Sequence, residues 1–357
     1  MVTKDQLTAA YKTFSYRVKD ATGGKRLCGM GRSVNFVWNY CNEVSGRSAE
    51  RGPRWVTKAE LRALTKGAGK ELHLPSQVVQ EVIDEFITRR KQFGRPKLRW
   101  RGHKSLGWVP FTNQDVTLDG AVVQFRSQTF RLWLHRPLDG KIKSGNFSQD
   151  ARGRWYCNIV CEIERQSLGG NADTGIDLGL KDVATCSDGK TLERATFYRD
   201  LEPKLAEAQR KGRKRQVKTI HAKISNKRKD SLHKFSRTTV NRSRVVAVGN
   251  VSASQMAKTN MAKSVLDAGW SMLRGFLRYK CDHAGVAFVE VEEQFTTQTC
   301  HACLGRNGPR GRAGLGVRRW VCCDCGADHD RDVNAALNIA RLGCETLGLK
   351  GHRSPAL

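Results

Sequence analysis

The sequence predicts an α/β protein whose N-terminal and C-terminal parts differ in character. Residues 27–94 have apolar residues at helical spacing, which predicts helices. Residues 95–168 contain short runs rich in Val, Trp, Phe and Tyr, which predict strands. From residue 169 onwards apolar strands alternate with helices, which is typical of a sheet with helices packed on it. A chain of 357 residues can bury a substantial core and form two or three domains.

The charge balance predicts a polyanionic partner. The chain has 63 Lys and Arg against 34 Asp and Glu, a formal net charge of +29 spread over its whole length. Such a surplus favours nucleic acid as the partner. No apolar run approaches the length of a spanning helix, and residues 1–14 lack an apolar signal core. We therefore expect a cytoplasmic protein with no membrane partner.

The N-terminal half predicts a helical bundle inserted among strands. A strand is expected at residues 10–17, then helices at about 30–45, from Thr57, and at 74–93. Residues 95–164 are typical of antiparallel strands of a barrel. Four tryptophans alternate there with basic residues, and we expect most of them in the core and a minority to stack on bases. They are Trp100, Trp108, Trp133 and Trp155.

The C-terminal half predicts a sheet that carries carboxylates. After a linker at 166–173, an apolar strand carries Asp177, and a carboxylate buried there needs a cation beside it unless it faces a turn. A strand follows at 244–251, then a helix with the apolar stripe Leu266, Trp270, Leu273 and Leu277, a strand ending at Glu293, and a helix headed by Asp332. This order is that of a ribonuclease-H-like fold, in which carboxylates from strands and a helix hold two Mg²⁺ ions for phosphodiester hydrolysis.

Residues 203–240 predict one long helix or a helical hairpin of almost uniform positive charge. A charged helix face is often only solvated, but repulsion along this one would be relieved by phosphates. We therefore expect nucleic-acid contacts from Lys211, Arg213, Lys214, Arg215, Lys218, Lys227 and Arg228.

Two Cys-x-x-Cys pairs predict a structural zinc site. Each pair presents two thiolates to one ion, and about eighteen residues separate the pairs. The ligands are Cys300, Cys303, Cys322 and Cys325. Acidic residues flank the module on both sides, at Glu290, Glu292 and Glu293 and at Asp328, Asp330 and Asp332. Arginines 310, 312, 318 and 319 of its loop either touch nucleic acid or are solvated.

Three stretches resemble the transposon-encoded TnpB proteins of the OrfB type, relatives of type V CRISPR effectors. They are GIDLGLKDVATCSDG, the cysteine knuckle TTQTCHAC with WVCCDCG, and DHDRDVNAALNI. The resemblance implies a wedge β-barrel (1–26 and 95–168), a helical recognition domain (27–94), a RuvC-like nuclease domain (169–293 and 327–357) and a zinc-binding insertion (294–326).

The resemblance also implies an activity and its partners. Members bind a guide RNA derived from the transposon end, recognise a short motif beside a double-stranded DNA target, and cleave the DNA. Asp177 matches the first RuvC aspartate and Asp332 matches the last. The neighbouring Asp330 is the alternative candidate for the last aspartate. We accordingly expect catalytic Mg²⁺, structural Zn²⁺, and a monomeric protein within a ribonucleoprotein in the bacterial cytosol or nucleoid.

One position departs from the family pattern. Many relatives have a glutamate, the middle metal ligand, where this chain has Gly249. Either the enzyme is inactive or another carboxylate has replaced the missing one. Strand periodicity favours Glu293, at the end of its strand and on the face opposite Glu290 and Glu292. The sequence therefore predicts an RNA-guided DNA endonuclease with Asp177, Glu293 and Asp332 as Mg²⁺ ligands; the alternatives are a nuclease-dead RNA-guided repressor and an RNA-independent transposase.

Overall fold

The structure, a computed structural model, describes residues 9–19, 21–166, 169–250, 268–311 and 313–349. The chain divides into two compact units, Met1–Glu164 (unit 1) and Arg165–Leu357 (unit 2). Within the described ranges, no helix combines the length and the apolar character that crossing a membrane requires.

Unit 1 is organised around an antiparallel sheet of seven strands. Their order is β2-β6-β7-β1-β5-β4-β3, and β1 pairs with both β5 and β7. Side chains alternate between buried and accessible along β7, as the period of a half-buried strand requires. The strands are β1 (Ala9–Val18), β2 (Trp108–Thr112), β3 (Val116–Asp119), β4 (Val122–Phe125), β5 (Gln128–Trp133), β6 (Lys141–Gln149) and β7 (Trp155–Glu164).

Helices occupy the chain between β1 and β2. They are α1 (Ala21–Arg51), α2 (Lys58–Leu64), α3 (Ala68–Glu71) and α4 (Ser76–Phe93). Thr57 caps α2 as predicted, since its side chain accepts from the Glu60 backbone N–H and Glu60 accepts from that of Thr57. Helix α1 is much longer than the predicted 30–45. The helix continues through its glycines although glycine has a low helix propensity. At Gly31 a Cβ would lie only 3.2 Å from the Gly107 Cα, so the close packing that glycine permits there offsets its low propensity.

The four tryptophans of residues 95–164 divide evenly between buried or half-buried and exposed positions. Trp155 is buried and Trp108 is half-buried, whereas Trp100 and Trp133 are 55% and 58% exposed. The expectation that most of them lie in the core is therefore wrong for two of the four. Residues 95–107 also differ from the strand-like prediction, because this segment runs extended beside α1 and joins no sheet.

Unit 2 contains a five-stranded sheet with the order β10-β9-β8-β11-β12. Its strands are β8 (Ala172–Asp177), β9 (Asp182–Cys186), β10 (Thr191–Glu193), β11 (Ser243–Gly249) and β12 (Ala287–Val291). Strands β8, β11 and β12 are mutually parallel, whereas β9 and β10 form antiparallel hairpins with their neighbours. The carboxyl ends of β8, β11 and β12 therefore meet at one edge of the sheet.

Helices flank the sheet of unit 2 as the alternating pattern predicted. They are α5 (Glu202–Arg210), α6 (Lys214–Arg242), α7 (Trp270–Ala284) and α8 (Arg331–Thr346). Helices α5 and α6 form the hairpin alternative, since the chain breaks at Gly212 with φ +63°. Trp270, Leu273 and Leu277 of α7 are buried as expected, and Leu266 lies outside the described residues. The ladder β13 (Arg319–Val321) and β14 (Asp328–Asp330) leads into α8.

Candidate functional site

Three predicted acids come together at the carboxyl edge of the unit 2 sheet. Asp177 ends β8, Glu293 follows β12, and Asp332 lies in the first turn of α8. The pKa of Asp177 is raised to about 7, first by burial and then by the negative charges of Asp332 and Glu293, while Arg331 opposes the shift. Carboxylates raise each other's pKa only over short distances. The three acids therefore share one electrostatic site.

The sheet register explains how distant parts of the sequence meet there. Ile176 of β8 pairs with Val248 of β11, and Gly249 of β11 pairs with Val291 of β12. Helix α8 packs on β8 so closely that a Cβ at Gly175 would collide with the Ala336 carbonyl oxygen. Glycine at this position lets α8 approach the sheet and brings its first turn beside the end of β8.

Glu293 lies over Gly249, the position at which the family resemblance led us to expect a middle acid. A Cβ built at Gly249 would be 2.7 Å from the Glu293 Oε2 and 3.2 Å from the Ile339 Cδ1. The space that a side chain at position 249 would enter is thus filled by the Glu293 carboxylate. Burial raises the pKa of Glu293, which marks it as a partly desolvated acid.

The two faces of β12 carry their acids to different places. On one face Val291 packs with Ala247 and Ile339, and Glu293 continues this face. On the other face Glu290 forms ion pairs with Arg274, at 3.4 Å, and with Arg278. Glu292 is exposed. Strand β12 ends at Val291, two residues before the predicted strand end at Glu293, so the strand period itself covers only Glu290 and Val291. The placement of Glu293 on the Val291 side follows from its closeness to the Cβ position of Gly249.

Asp330 and Asp332 have different roles. Asp330 is the N-cap of α8, since its Oδ1 accepts from the backbone N–H groups of Asp332 and Val333 at 3.0 Å each. Asp332 forms an ion pair with Arg318 at 3.3 Å and raises the pKa of Asp177. Capping occupies Asp330, so Asp332 is the acid of this pair that is directed at the site.

The four predicted cysteines form a cluster that fits one zinc ion. Their sulfur atoms all lie within 4.8 Å of one another, with 3.7 Å between those of Cys300 and Cys325 and 3.5 Å between those of Cys303 and Cys322. A tetrahedron with Zn–S bonds of about 2.3 Å has edges of about 3.8 Å. Among the described residues these four are the one group of three or more candidate ligands gathered so closely, and the acidic trio is more open.

The sequence analysis missed the polar contacts that join this cluster to α8. The buried His329 places Nε2 3.1 Å from the Cys300 Sγ. The Asn338 Nδ2 donates to the carbonyl oxygens of Thr296 (2.9 Å) and Thr299 (2.7 Å), and Asn334 makes the same pair of contacts. The Thr296 N–H in turn donates to the Glu293 carbonyl oxygen. Two asparagines four residues apart in the otherwise apolar stretch 333–340 of this helix were the available signal.

The predicted nucleic-acid residues lie mainly on the exposed surface of the α5–α6 hairpin. Six of the seven are exposed, and Lys211 is also paired with Glu207 at 2.6 Å. Arg228 differs, because it is half-buried with its side chain over Gly269. In the zinc module Arg310 and Arg319 are exposed, Arg318 is paired with Asp332, and Arg312 lies outside the described residues.

Two family models match the chain from residue 158 onwards. A family model described as "Cas12f1-like, TNB domain" matches residues 270–339, and an OrfB model described as "Probable transposase" matches residues 158–260. The Streptomyces pristinaespiralis protein named "Putative RNA-guided DNA endonuclease" is 30% identical over 308 residues, covering 81% of this chain and 75% of the relative. The Escherichia coli (strain K12) protein "Putative RNA-guided DNA endonuclease InsQ" is 27% identical over 372 residues, 90% of each chain.

A solved structure is similar over nearly the whole chain. A chain of the "Cryo-EM structure of the Cas12f1-sgRNA-target DNA complex" matches with a TM-score of 0.59 and 11% identity, covering 93% of this chain and 99% of that one. This likeness shows a common mixed α/β fold. The identity to the Streptomyces protein and the OrfB model match show that the chain belongs to the OrfB-type TnpB family.

Proposed function

We propose that the protein is an RNA-guided DNA endonuclease whose cleavage site is formed by Asp177, Glu293 and Asp332. The observation that carries the proposal is their convergence, together with the Glu293 carboxylate lying over Gly249. The net charge of +29 and the exposed cations of the α5–α6 hairpin support a nucleic-acid partner. The names of the curated relatives support RNA-guided cleavage of DNA.

The donor set fits Mg²⁺. Carboxylate oxygens are its preferred protein ligands. The raised pKa of Asp177 is caused first by burial and then by the negative charges of Asp332 and Glu293, which a cation would neutralise. When bound, Mg²⁺ would lower the pKa of the attacking water and stabilise the leaving oxygen. The chain holds the acids on rigid elements, the ends of two strands and a helix. The ion pair of Arg318 with Asp332 must open for Asp332 to contribute.

The remaining features support an assignment of parts to this function. The zinc module anchors the segment after Glu293 to α8 through Asn334 and Asn338, so we assign it a scaffolding role beside the site. Unit 1 contributes the helical insertion between β1 and β2, which we propose as the recognition domain on a wedge domain. We propose that the guide RNA pairs with the target strand while the protein reads a short flanking motif.

Substitution of Glu293 by Gln tests the cleavage site. The complex would be expressed beside its own locus to supply the guide RNA, and cleavage of a matched plasmid would be measured with Mg²⁺. We expect E293Q to lose cleavage at least about a hundredfold while its RNA content and thermal stability stay unchanged. The matched control is Glu292→Gln, one residue earlier and exposed, which we expect to cleave like the wild type. Full activity of E293Q would remove Glu293 from the site.

Gly249 also favours a second function, RNA-guided binding to DNA without cleavage. A family member that lacks the middle acid and has no replacement would bind its target and act as a repressor. The plasmid assay separates the two functions, because a repressor shows target binding with no Mg²⁺-dependent cleavage. The RNA-independent transposase is separated by co-purified RNA, which it would lack.

A further inference from the structure

An open groove of about 1290 Å³ lies in unit 1 between α4 and the segment 95–107. Basic and aromatic side chains line this groove, and they are distant in the sequence from the acids proposed for cleavage. Arg99, Lys104 and the side chain of Trp100 line the groove, and the indole of Trp100 is 55% exposed. A large aromatic ring left in water beside cations is uncommon for a residue that serves only packing.

The segment 95–107 is held rigidly, although it belongs to no sheet. Asn42 of α1 donates to the Leu98 carbonyl oxygen at 2.9 Å and accepts from the Leu98 N–H at 2.7 Å. Asn39 makes the same pair of bonds with Arg101, each 2.8 Å long. The two asparagines are three residues apart on one face of α1, so they replace a missing neighbouring strand. The residues between the two clamps, Arg99 and Trp100, are thereby presented outward on a fixed backbone.

The same segment leaves positive charge unneutralised. Within the described part of the chain, Arg95, Arg99 and Lys104 form no ion pair, whereas Lys97 is paired with Glu50 at 3.1 Å. The one acid in the lining, Glu85, is paired with Arg89 at 2.7 Å. Arg101 stacks over the rings of Trp38 and Trp108, with its guanidinium carbon 4.3 Å and 5.2 Å from the ring centroids. The groove thus combines the exposed indole of Trp100, carried on a hydrogen-bonded backbone, with cations that form no ion pair within the described residues.

We propose that this groove binds an unpaired stretch of nucleic acid, with one base stacked on Trp100 and the adjoining phosphates held by Arg99 and Lys104. Stacking requires a base that is free of its partner strand, and a flat exposed indole accepts any base. The occupant is a single strand, supplied either by the guide RNA or by a displaced DNA strand. This inference rests on the proposed nucleic-acid partners but not on the cleavage chemistry.

The test measures binding without Mg²⁺, so that catalysis does not enter. Fluorescence anisotropy of the full zinc-loaded chain would be recorded with labelled RNA and DNA single strands of about ten nucleotides, and with a DNA chain of the same length whose bases are absent. We expect Trp100→Ala to weaken binding of a base-bearing strand about tenfold and to leave binding of the abasic chain unchanged. The matched control is Trp133→Ala, because Trp133 is equally exposed in the same unit and outside the groove.

The outcomes distinguish this inference from the proposed function. A loss on the RNA arm or on the DNA arm supports the stacking site and identifies the strand. No loss on either arm, an equal loss on the abasic chain, or an equal loss in Trp133→Ala would overturn the site while leaving guided cleavage intact. Arg99→Gln with Lys104→Gln should reduce the salt dependence of binding on all three probes, and an unchanged salt dependence would also count against the groove.

Discussion

Moving the acid from position 293 to position 249 tests the proposed relocation directly. Glu293→Ala removes the carboxylate that lies over Gly249, and Gly249→Glu places an acid where the family resemblance implies the middle ligand. If both positions serve the same metal site, each single change should damage the enzyme, and the double variant should recover activity. The expectation follows from the 2.7 Å between the Glu293 Oε2 and a Cβ built at Gly249.

The structure gives the size of the stability coupling. With Glu293 in place, adding only a methyl group (Gly249→Ala) displaces the flexible end of the Glu293 side chain and presses on the Ile339 Cδ1, at a cost of about 0.5–1.5 kcal/mol. With alanine at 293, the nearest remaining atoms are its Cβ at 3.4 Å and the Ile339 Cδ1 at 3.2 Å, which a small shift accommodates. We therefore expect a favourable coupling of about 0.5–1.5 kcal/mol between the two changes.

The assay has a folding readout and a cleavage readout. Urea unfolding of the four variants gives the stability coupling, and Mg²⁺-dependent plasmid cleavage gives the functional rescue. We expect Gly249→Glu with Glu293→Ala to cleave at least about tenfold faster than Glu293→Ala alone. The control combines Gly249→Glu with Glu292→Ala. Because Glu293 remains in this variant, it should cleave no faster than Gly249→Glu alone. A double variant that is folded, contains zinc and cleaves no faster than Glu293→Ala would refute the reasoning.

Three further predictions concern stability and metal content. The raised pKa of Asp177, about 7, stabilises the fold below the unfolded pKa of about 4, and this stability is lost as pH rises through 7. In Mg²⁺-free buffer Asp177→Asn should therefore be more stable than the wild type by about 2–4 kcal/mol at pH 8 and equal to it at pH 4, as urea titrations would show. Burial, assisted by Arg237, lowers the pKa of the buried Lys280 to about 8, so the stability of the wild type relative to Lys280→Met should rise by up to about 3 kcal/mol between pH 8 and 10.5. Cys325→Ser should lose zinc and several kcal/mol of stability, whereas the exposed neighbour Cys323→Ser should keep both, with metal analysis and thermal melts as the measurements.

Patterns with a strict spacing were predictable from the sequence. The cysteine pairs fix four ligands within a few residues each, and their convergence follows from the chemistry of one tetrahedral ion. The strand period separated Glu293 from Glu290 before any fold was known, and Arg274 and Arg278 confirm the separate face of Glu290. The capping box at Thr57 was equally local. In each case the determinant lies within a few residues of the feature.

Features that depend on a distant partner were not predictable. Helix α1 extends beyond the predicted 30–45, and its Gly31 packs against Gly107, seventy-six positions further along the chain. The segment 95–107 read as strand-like, and it is extended, but its hydrogen-bond partners are Asn39 and Asn42 on a helix. Asn334 and Asn338 likewise show their role only when Thr296 and Thr299 lie beside them. A propensity or a period carries no information about such partners.

Gly249 is compatible with two hypotheses, a middle ligand that was lost and a middle ligand that was replaced by Glu293. The two hypotheses make different predictions for the stability of variants at position 249. A protein that had merely lost its middle ligand would place no demand on position 249, and alanine or serine would be accepted there. With the Glu293 Oε2 2.7 Å from the site of a Cβ, a side chain at position 249 would displace the Glu293 carboxylate. We therefore propose that the glycine at 249 and the acid at 293 belong to one arrangement. An alanine at 249 that costs less stability once the carboxylate at 293 is removed would show that the two positions share this space, and the cleavage rescue would show that they serve the same metal site.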